Sequence, residues 1–125
     1  MILLDTDYLI GMLVPGSIES DRTLAWYRRE ELCTSSVCWY EFLCGPVTDE
    51  AVEIVRGMIG DRIIPFTADQ ATEASRLFNA VGRARRLRVG ARIAAGALFA
   101  NARLATNNRE DFSAFVALGL ELASP

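Results

Sequence analysis

The sequence predicts an α/β fold on a central, mostly parallel sheet of four to five strands. Three observations carry that expectation. Aliphatic runs such as Ile2-Leu3-Leu4 are short and continuous, as in strands covered on both faces. Longer stretches of helical period, each opened by Ser, Thr or Asp, separate these runs. Strands that alternate with helices need right-handed crossovers, and hence parallel neighbours. At 125 residues and 51% hydrophobic, the chain forms one domain, residues 1–125, with its own core.

Each element has a local cause. Ile2 to Leu4 form the first strand, and Thr6 or Asp7 caps a helix carrying Tyr8, Leu9, Met12 and Leu13. Val14-Pro15-Gly16-Ser17 breaks it. Ser20 or Asp21 caps a helix reaching Glu31, with Leu24 and Tyr27 on one face. Leu32 to Thr34 are a strand. Ser35 or Ser36 then caps a helix with Val37, Tyr40, Glu41 and Leu43, which Gly45-Pro46 ends. Thr48 opens a helix with Asp49 and Glu50 in its first turn, where acids suit the dipole, and Gly60 stops it. Arg62 to Phe66 read as a strand in which Pro65 removes a ladder donor, so it lies at an edge or a strand end. Thr67 caps a helix to Val81, with Ala71, Ala74, Leu77 and Phe78 inward. A small-residue helix spans Val89 to Ala100, Arg103 to Thr106 are a strand, Asn107 to Phe112 a polar loop, and Leu120 to Leu122 a last short strand.

Composition narrows the chemistry. There is no histidine, which removes Ser-His and Cys-His nucleophiles and most zinc sites. Cys33, Cys38 and Cys44 are odd in number and lack metal-knuckle spacing, as expected of reduced thiols in the cytosol. No apolar run reaches ~18 residues, so no membrane span is expected, and no secretory leader is visible. Carboxylates are therefore the expected working groups, and oxygen ligands suit Mg²⁺ or Mn²⁺. The net charge of −3 hides one basic cluster, Arg83, Arg85, Arg86, Arg88 and Arg92. Such a run is either a solvated helix face or a contact for phosphates, which Arg grips in bidentate fashion.

Acids stand at three strand ends where a core needs none. Asp5 follows the first strand, Glu41 lies just over a turn into the helix after the second, and Asp111 follows the fourth. Taken singly, each has an ordinary reading as a cap or surface residue. Parallel strands bring all three to one sheet edge, where open α/β folds bind ligands. Carboxylates gathered there repel each other unless a divalent cation neutralises them.

On these segments the chain resembles the PIN-domain family, and within it the VapC-like ribonuclease toxins. The segments are Ile2-Leu3-Leu4-Asp5-Thr6-Asp7 on to Ile10, then Thr34-Ser35-Ser36 through Glu41 to Gly45, then Arg92-Ile93-Ala94-Ala95-Gly96 to Leu98, and Leu104-Ala105-Thr106-Asn107-Asn108 to Phe112. The resemblance implies a PIN-like three-layer α/β/α fold and Mg²⁺- or Mn²⁺-dependent cleavage of RNA by four acids. The first, second and fourth match Asp5, Glu41 and Asp111, as both metal-binding and catalytic residues. The third falls at Gly90, three residues before Ile93, and no acid lies between Glu73 and Glu110. One carboxylate is thus missing, which implies weakened or absent activity, with Asp7 available to assist. Thr6, Ser36, Thr106 and Asn108 stand beside the acids as supports for ligands or metal waters. Arg85, Arg86, Arg88 and Arg92 are the expected guides for the RNA backbone. The implied partners are a VapB-like antitoxin, whose helix docks in a groove, and a second copy in a homodimer. Met12, Leu13, Trp26, Trp39, Tyr40 and Phe42 are candidates for such surfaces, or for plain core. Two readings stand beside the ribonuclease: a degenerate PIN domain that binds RNA or antitoxin without cutting, and another metal-dependent phosphoesterase.

Overall fold

In the computed structural model, which describes residues 1–124, a four-stranded parallel sheet has the order β3-β2-β1-β4. The strands are β1 (Ile2–Leu4), β2 (Leu32–Ser35), β3 (Ile63–Ile64) and β4 (Arg103–Ala105). Helices α1 (Thr6–Gly11) and α2 (Ile18–Tyr27) connect β1 to β2, and α3 (Ser36–Cys44) and α4 (Asp49–Ile59) connect β2 to β3. Helices α5 (Ala68–Ala80) and α6 (Arg88–Phe99), joined through a 3₁₀ turn at Arg85–Leu87, return the chain to β4. Helix α7 (Arg109–Phe112) runs into a 3₁₀ segment at Ser113–Leu118. The first two crossovers step one way along the sheet and the third steps back. Right-handed crossovers therefore put α1 to α4 on one face and α5 and α6 on the other. The reversal falls at β1 and β4, so the carboxyl ends of those strands form the switch point of the fold.

The strands are buried throughout β1 and β2, as their unbroken aliphatic runs require. Short β3 is an edge strand, and it stops at Ile64 because Pro65 has no N–H for the ladder. In α6 the buried residues are Ala91, Ile93, Ala94, Ala95, Gly96 and Ala97. Their small side chains let the helix lie close to the sheet, and a Cβ at Gly96 would already touch Cβ of Ser35 at 3.6 Å.

Several boundaries differ from the sequence expectation. Asp5 itself, rather than Thr6 or Asp7, caps α1, by accepting from the Thr6 amide at 2.8 Å. Helix α2 starts three residues early because Ser17 caps it, its hydroxyl accepting from Ser20 N and donating to Gly11 O. It buries Thr23 and Trp26 and exposes Leu24 and Tyr27, the reverse of the periodic reading. The Trp26 indole N–H reaches Ser124 O at 3.2 Å, so its one polar atom is met inside the core. Of the two serines expected to cap α3, Ser35 does so; the buried residues of the helix are Cys38 and Phe42, while Tyr40 is 70% exposed. Ala71 lies exposed on α5, and the buried positions there are Gln70, Ala74 and Leu77. The supposed loop after β4 contains α7, and the supposed last strand is a single parallel bridge between Leu104 and Leu122. Of the residues considered for partner surfaces, Trp26 and Phe42 are core.

The reversed face of α2 gives a direct test. Trp26→Ala should lower the unfolding free energy by about 3–5 kcal/mol, and Tyr27→Ala by under about 1 kcal/mol. Chemical denaturation of both variants measures this; equal losses would refute the burial described here.

Candidate active site

Asp5 ends the central strand, and its amide still donates to Ala105 O of β4 at 3.0 Å. The residue is only 8% exposed, and a buried charge is tolerated only where donors surround it. Three do. Thr6 N donates to Oδ1, the Thr106 hydroxyl donates to Oδ2 at 2.6 Å, and the Cys38 thiol lies 3.5 Å from Oδ1. Burial, reinforced by the Asp5 charge, pushes the Cys38 thiol up to about 12, so it stays protonated beside the carboxylate.

From Asp5 the network reaches the other acids. The Thr6 hydroxyl donates to Glu41 Oε2 at 3.0 Å. Glu41 stands one turn after Cys38 on α3, so the residue that supports Asp5 and the second acid share a helix face. Thr106 Oγ1 also accepts from Asn108 N at 3.0 Å. That bond orders the chain before α7, where the Asn108 side-chain amide donates to Asp111 Oδ2 at 3.2 Å. Asp111 Oδ1 takes Arg86 Nε at 3.4 Å.

Asp5, Glu41, Asp111, Asn108, Arg86 and Gly90 line one cleft of about 170 Å³. Its apolar wall includes Ile93, Phe112 and Phe115. A Cβ built on Gly90 would meet the Phe112 and Phe115 rings at 3.5–3.7 Å, ordinary contact distances. The position thus admits a side chain at the rim of the cleft.

Other expected site residues stand elsewhere. The Ser36 hydroxyl accepts from Phe66 N at 3.0 Å, which anchors the chain leaving β3, and Ser36 does not line the cleft. Asp7 turns to the loop after β4, where its Oδ2 accepts from Asn107 N at 2.9 Å. Arg85 and Arg88 are exposed, and Arg88 and Arg92 line a different cavity. The sequence reading missed Cys38, Phe112 and Phe115. The i, i+3 spacings of Cys38 with Glu41, and of Phe112 with Phe115, were the available signals.

The donors around the cleft are carboxylate, amide and hydroxyl oxygens, which in kind fit Mg²⁺ or Mn²⁺. Among the described residues, no three His, Cys, Asp or Glu side chains stand close enough together to hold one ion. Glu41 is turned to Thr6 and Asp111 to Arg86. The cleft is an open, acid-lined recess rather than a closed cage.

Asp7 makes the electrostatic strain measurable. Burial, then the neighbouring Asp5 charge, pushes its carboxyl from 3.8 up to about 6, and its Oδ1 is buried without a partner. A raised acid favours the protonated fold, so this contribution is present below the ordinary value and is lost as pH rises toward 6. Asp7→Asn, measured in EDTA, should therefore stabilise the protein by on the order of 1 kcal/mol at pH 8. The gain should vanish below pH 4. A pH-independent difference between the two proteins would refute the assignment.

The fold places this chain among known structures. It superposes on FitAcB from Neisseria gonorrhoeae with a TM-score of 0.74, at 19% identity over 100% of this chain and 98% of that one. VapBC2 from Rickettsia felis, bound to a DNA fragment from its promoter, gives 0.74 at 19% identity, covering 98% of each chain. VapBC-1 from nontypeable Haemophilus influenzae gives 0.69 at 16% identity, covering 99% and 98%. No curated protein matches the sequence. The PIN domain model matches residues 2–117, nearly the whole chain with all three acids, and the chain belongs to the PIN domain family.

Proposed function

We propose that this protein is a VapC-like toxin of a toxin–antitoxin pair, a Mg²⁺- or Mn²⁺-dependent endoribonuclease of low activity. The observation that carries the reading is the single cleft lined by Asp5, Glu41 and Asp111, drawn from three strand ends, with Gly90 where a further acid is expected. The likeness to FitAcB and to the VapBC assemblies supports a small antitoxin as partner. A homodimer acting in the cytoplasm is the expected working form.

Asp5, Glu41 and Asp111 would hold the ion, with the Asn108 amide in support. Bound there, a divalent ion supplies charge neutralisation at a phosphate and a more acidic water. The chain's own residues do the rest. Thr6 and Thr106 fix the rotamers of Glu41 and Asp5 through their hydroxyls. Phe112 and Phe115 wall off solvent at the position-90 side of the cleft. Arg86 gives a phosphate a cation at the rim, and in its absence neutralises Asp111. With no histidine in the chain, protons pass between carboxylates and water.

A second reading has its own support. No three acids are gathered for one ion and Arg86 already occupies Asp111, as suits a PIN domain that binds RNA or antitoxin without cutting.

Cleavage of single-stranded RNA with Mg²⁺, Mn²⁺ or EDTA decides between them, with DNA and a small phosphoester as controls. The wild type should cut RNA slowly and only with metal, and Asp5→Asn should abolish cutting. Gly90→Asp should raise the rate roughly tenfold, a barrier change of about 1.4 kcal/mol, and should enlarge the Mg²⁺-induced rise in Tm. Metal-dependent cleavage by neither protein, with RNA still bound, would establish the non-cutting reading. A Gly90→Asp variant that gains neither metal affinity nor rate would refute position 90 as the place of the missing acid.

A further inference from the structure

Helix α6 serves two cavities. Val89, Gly90 and Ile93 face the acid-lined cleft, whereas Arg88 and Arg92 face a second, larger groove against α5, of about 630 Å³. At 100° per residue, positions 88 and 92 lie on nearly the opposite side of the helix from 90 and 93. Arg83 joins them in the groove, along with Phe66 and Phe78. Left-handed backbone at Gly82 and Arg83 ends α5, and Arg83 N donates to Phe78 O at 3.0 Å.

Three positive charges thus share one groove in a chain of net charge −3. Among the described residues, none of Arg83, Arg88 and Arg92 forms an ion pair. Arg88 is spread over the Phe78 ring, its guanidinium carbon 5.9 Å from the centroid, which fixes it without neutralising it. Arg92 Nε is buried with no acceptor. Phe66 is a large apolar ring left 38% exposed at the same groove. Unneutralised guanidiniums beside an exposed ring are the chemistry that takes a polynucleotide strand, with phosphates on the cations and a base on the ring.

We propose that this groove is a subsite for single-stranded RNA, in which Arg83, Arg88 and Arg92 take backbone phosphates and Phe66 stacks a base. The inference rests on the ribonucleic-acid reading of the protein and extends it beyond the acid cleft. Arg86 lies in that cleft, two residues before Arg88, so a strand held in the groove passes over the amino end of α6 toward the acids.

The test is binding of a short labelled single-stranded RNA to the full chain in EDTA, followed by fluorescence anisotropy across a salt series. Removing two phosphate contacts with Arg83→Gln/Arg88→Gln should weaken binding roughly tenfold and flatten the salt slope by about 1.4, at ~0.7 per contact on a single strand. Phe66→Leu, which keeps apolar volume, should weaken binding roughly fivefold or more and should leave binding of an abasic strand unchanged. The control Arg28→Gln/Arg29→Gln removes the same charge from exposed positions at the end of α2 and should change neither quantity. Unaltered affinity and slope in the groove variants would overturn the proposal. So would equal losses in the control, or displacement of the RNA by an acidic peptide with no dependence on Phe66. Because nothing is cleaved in EDTA, groove-dependent binding without any metal-dependent cutting would refute the nuclease and leave the subsite standing.

Discussion

The buried carboxylate of Asp5 is the constraint on which the rest of the site depends. A charge at the end of the central strand costs several kcal/mol unless donors replace its water. Those donors come from separate parts of the chain: the first amide of α1, the hydroxyl just after β4, and a thiol in α3. Satisfying one charge therefore fixes where three elements meet. The same threonines carry the order outward, because Thr6 also holds Glu41 and Thr106 also holds the Asn108 amide ahead of Asp111. The positions of the second and last acids follow from the bonding needs of the first.

A recess built this way accumulates negative charge, and the protein offsets it in different ways at different acids. Asp5 is met by neutral donors. Asp111 is met by Arg86, a cation of the chain's own. Asp7 is met by one backbone amide and otherwise by a raised pKa. Glycine at position 90 works in the same direction, since a further carboxylate there would add repulsion wherever no cation is bound. The arrangement favours a stable metal-free protein over a tightly preformed ion site.

Helix α6 links this recess to the surface beyond it. Its alanines and Gly96 let it sit deep against the sheet, so its first turn reaches the switch point of the fold. With the preceding 3₁₀ turn it distributes arginines between the two cavities, Arg86 to one and Arg88 and Arg92 to the other. A single basic run in sequence thus becomes two features with different neighbours, one a counter-charge to an acid and the other unneutralised.

The sequence by itself determined the parallel sheet, the number and order of the main helices, and the gathering of Asp5, Glu41 and Asp111 at one edge. Each follows from local or topological rules: continuous apolar strands, caps, and right-handed crossovers that bring strand ends together. The proline after β3 set the end of that strand in the same way. What only the tertiary structure decided were outcomes of competition between partners distant in the chain. Ser17 rather than Ser20 begins α2, because a second bond from its hydroxyl to Gly11 holds it there. Trp26 rather than Tyr27 enters the core, because an acceptor at Ser124 awaits its N–H. Ser36 serves Phe66 instead of the acids, and Asp7 serves Asn107. Periodicity says which residues share a face, but not which face finds neighbours. A carboxylate or hydroxyl has several possible partners until long-range packing leaves it one.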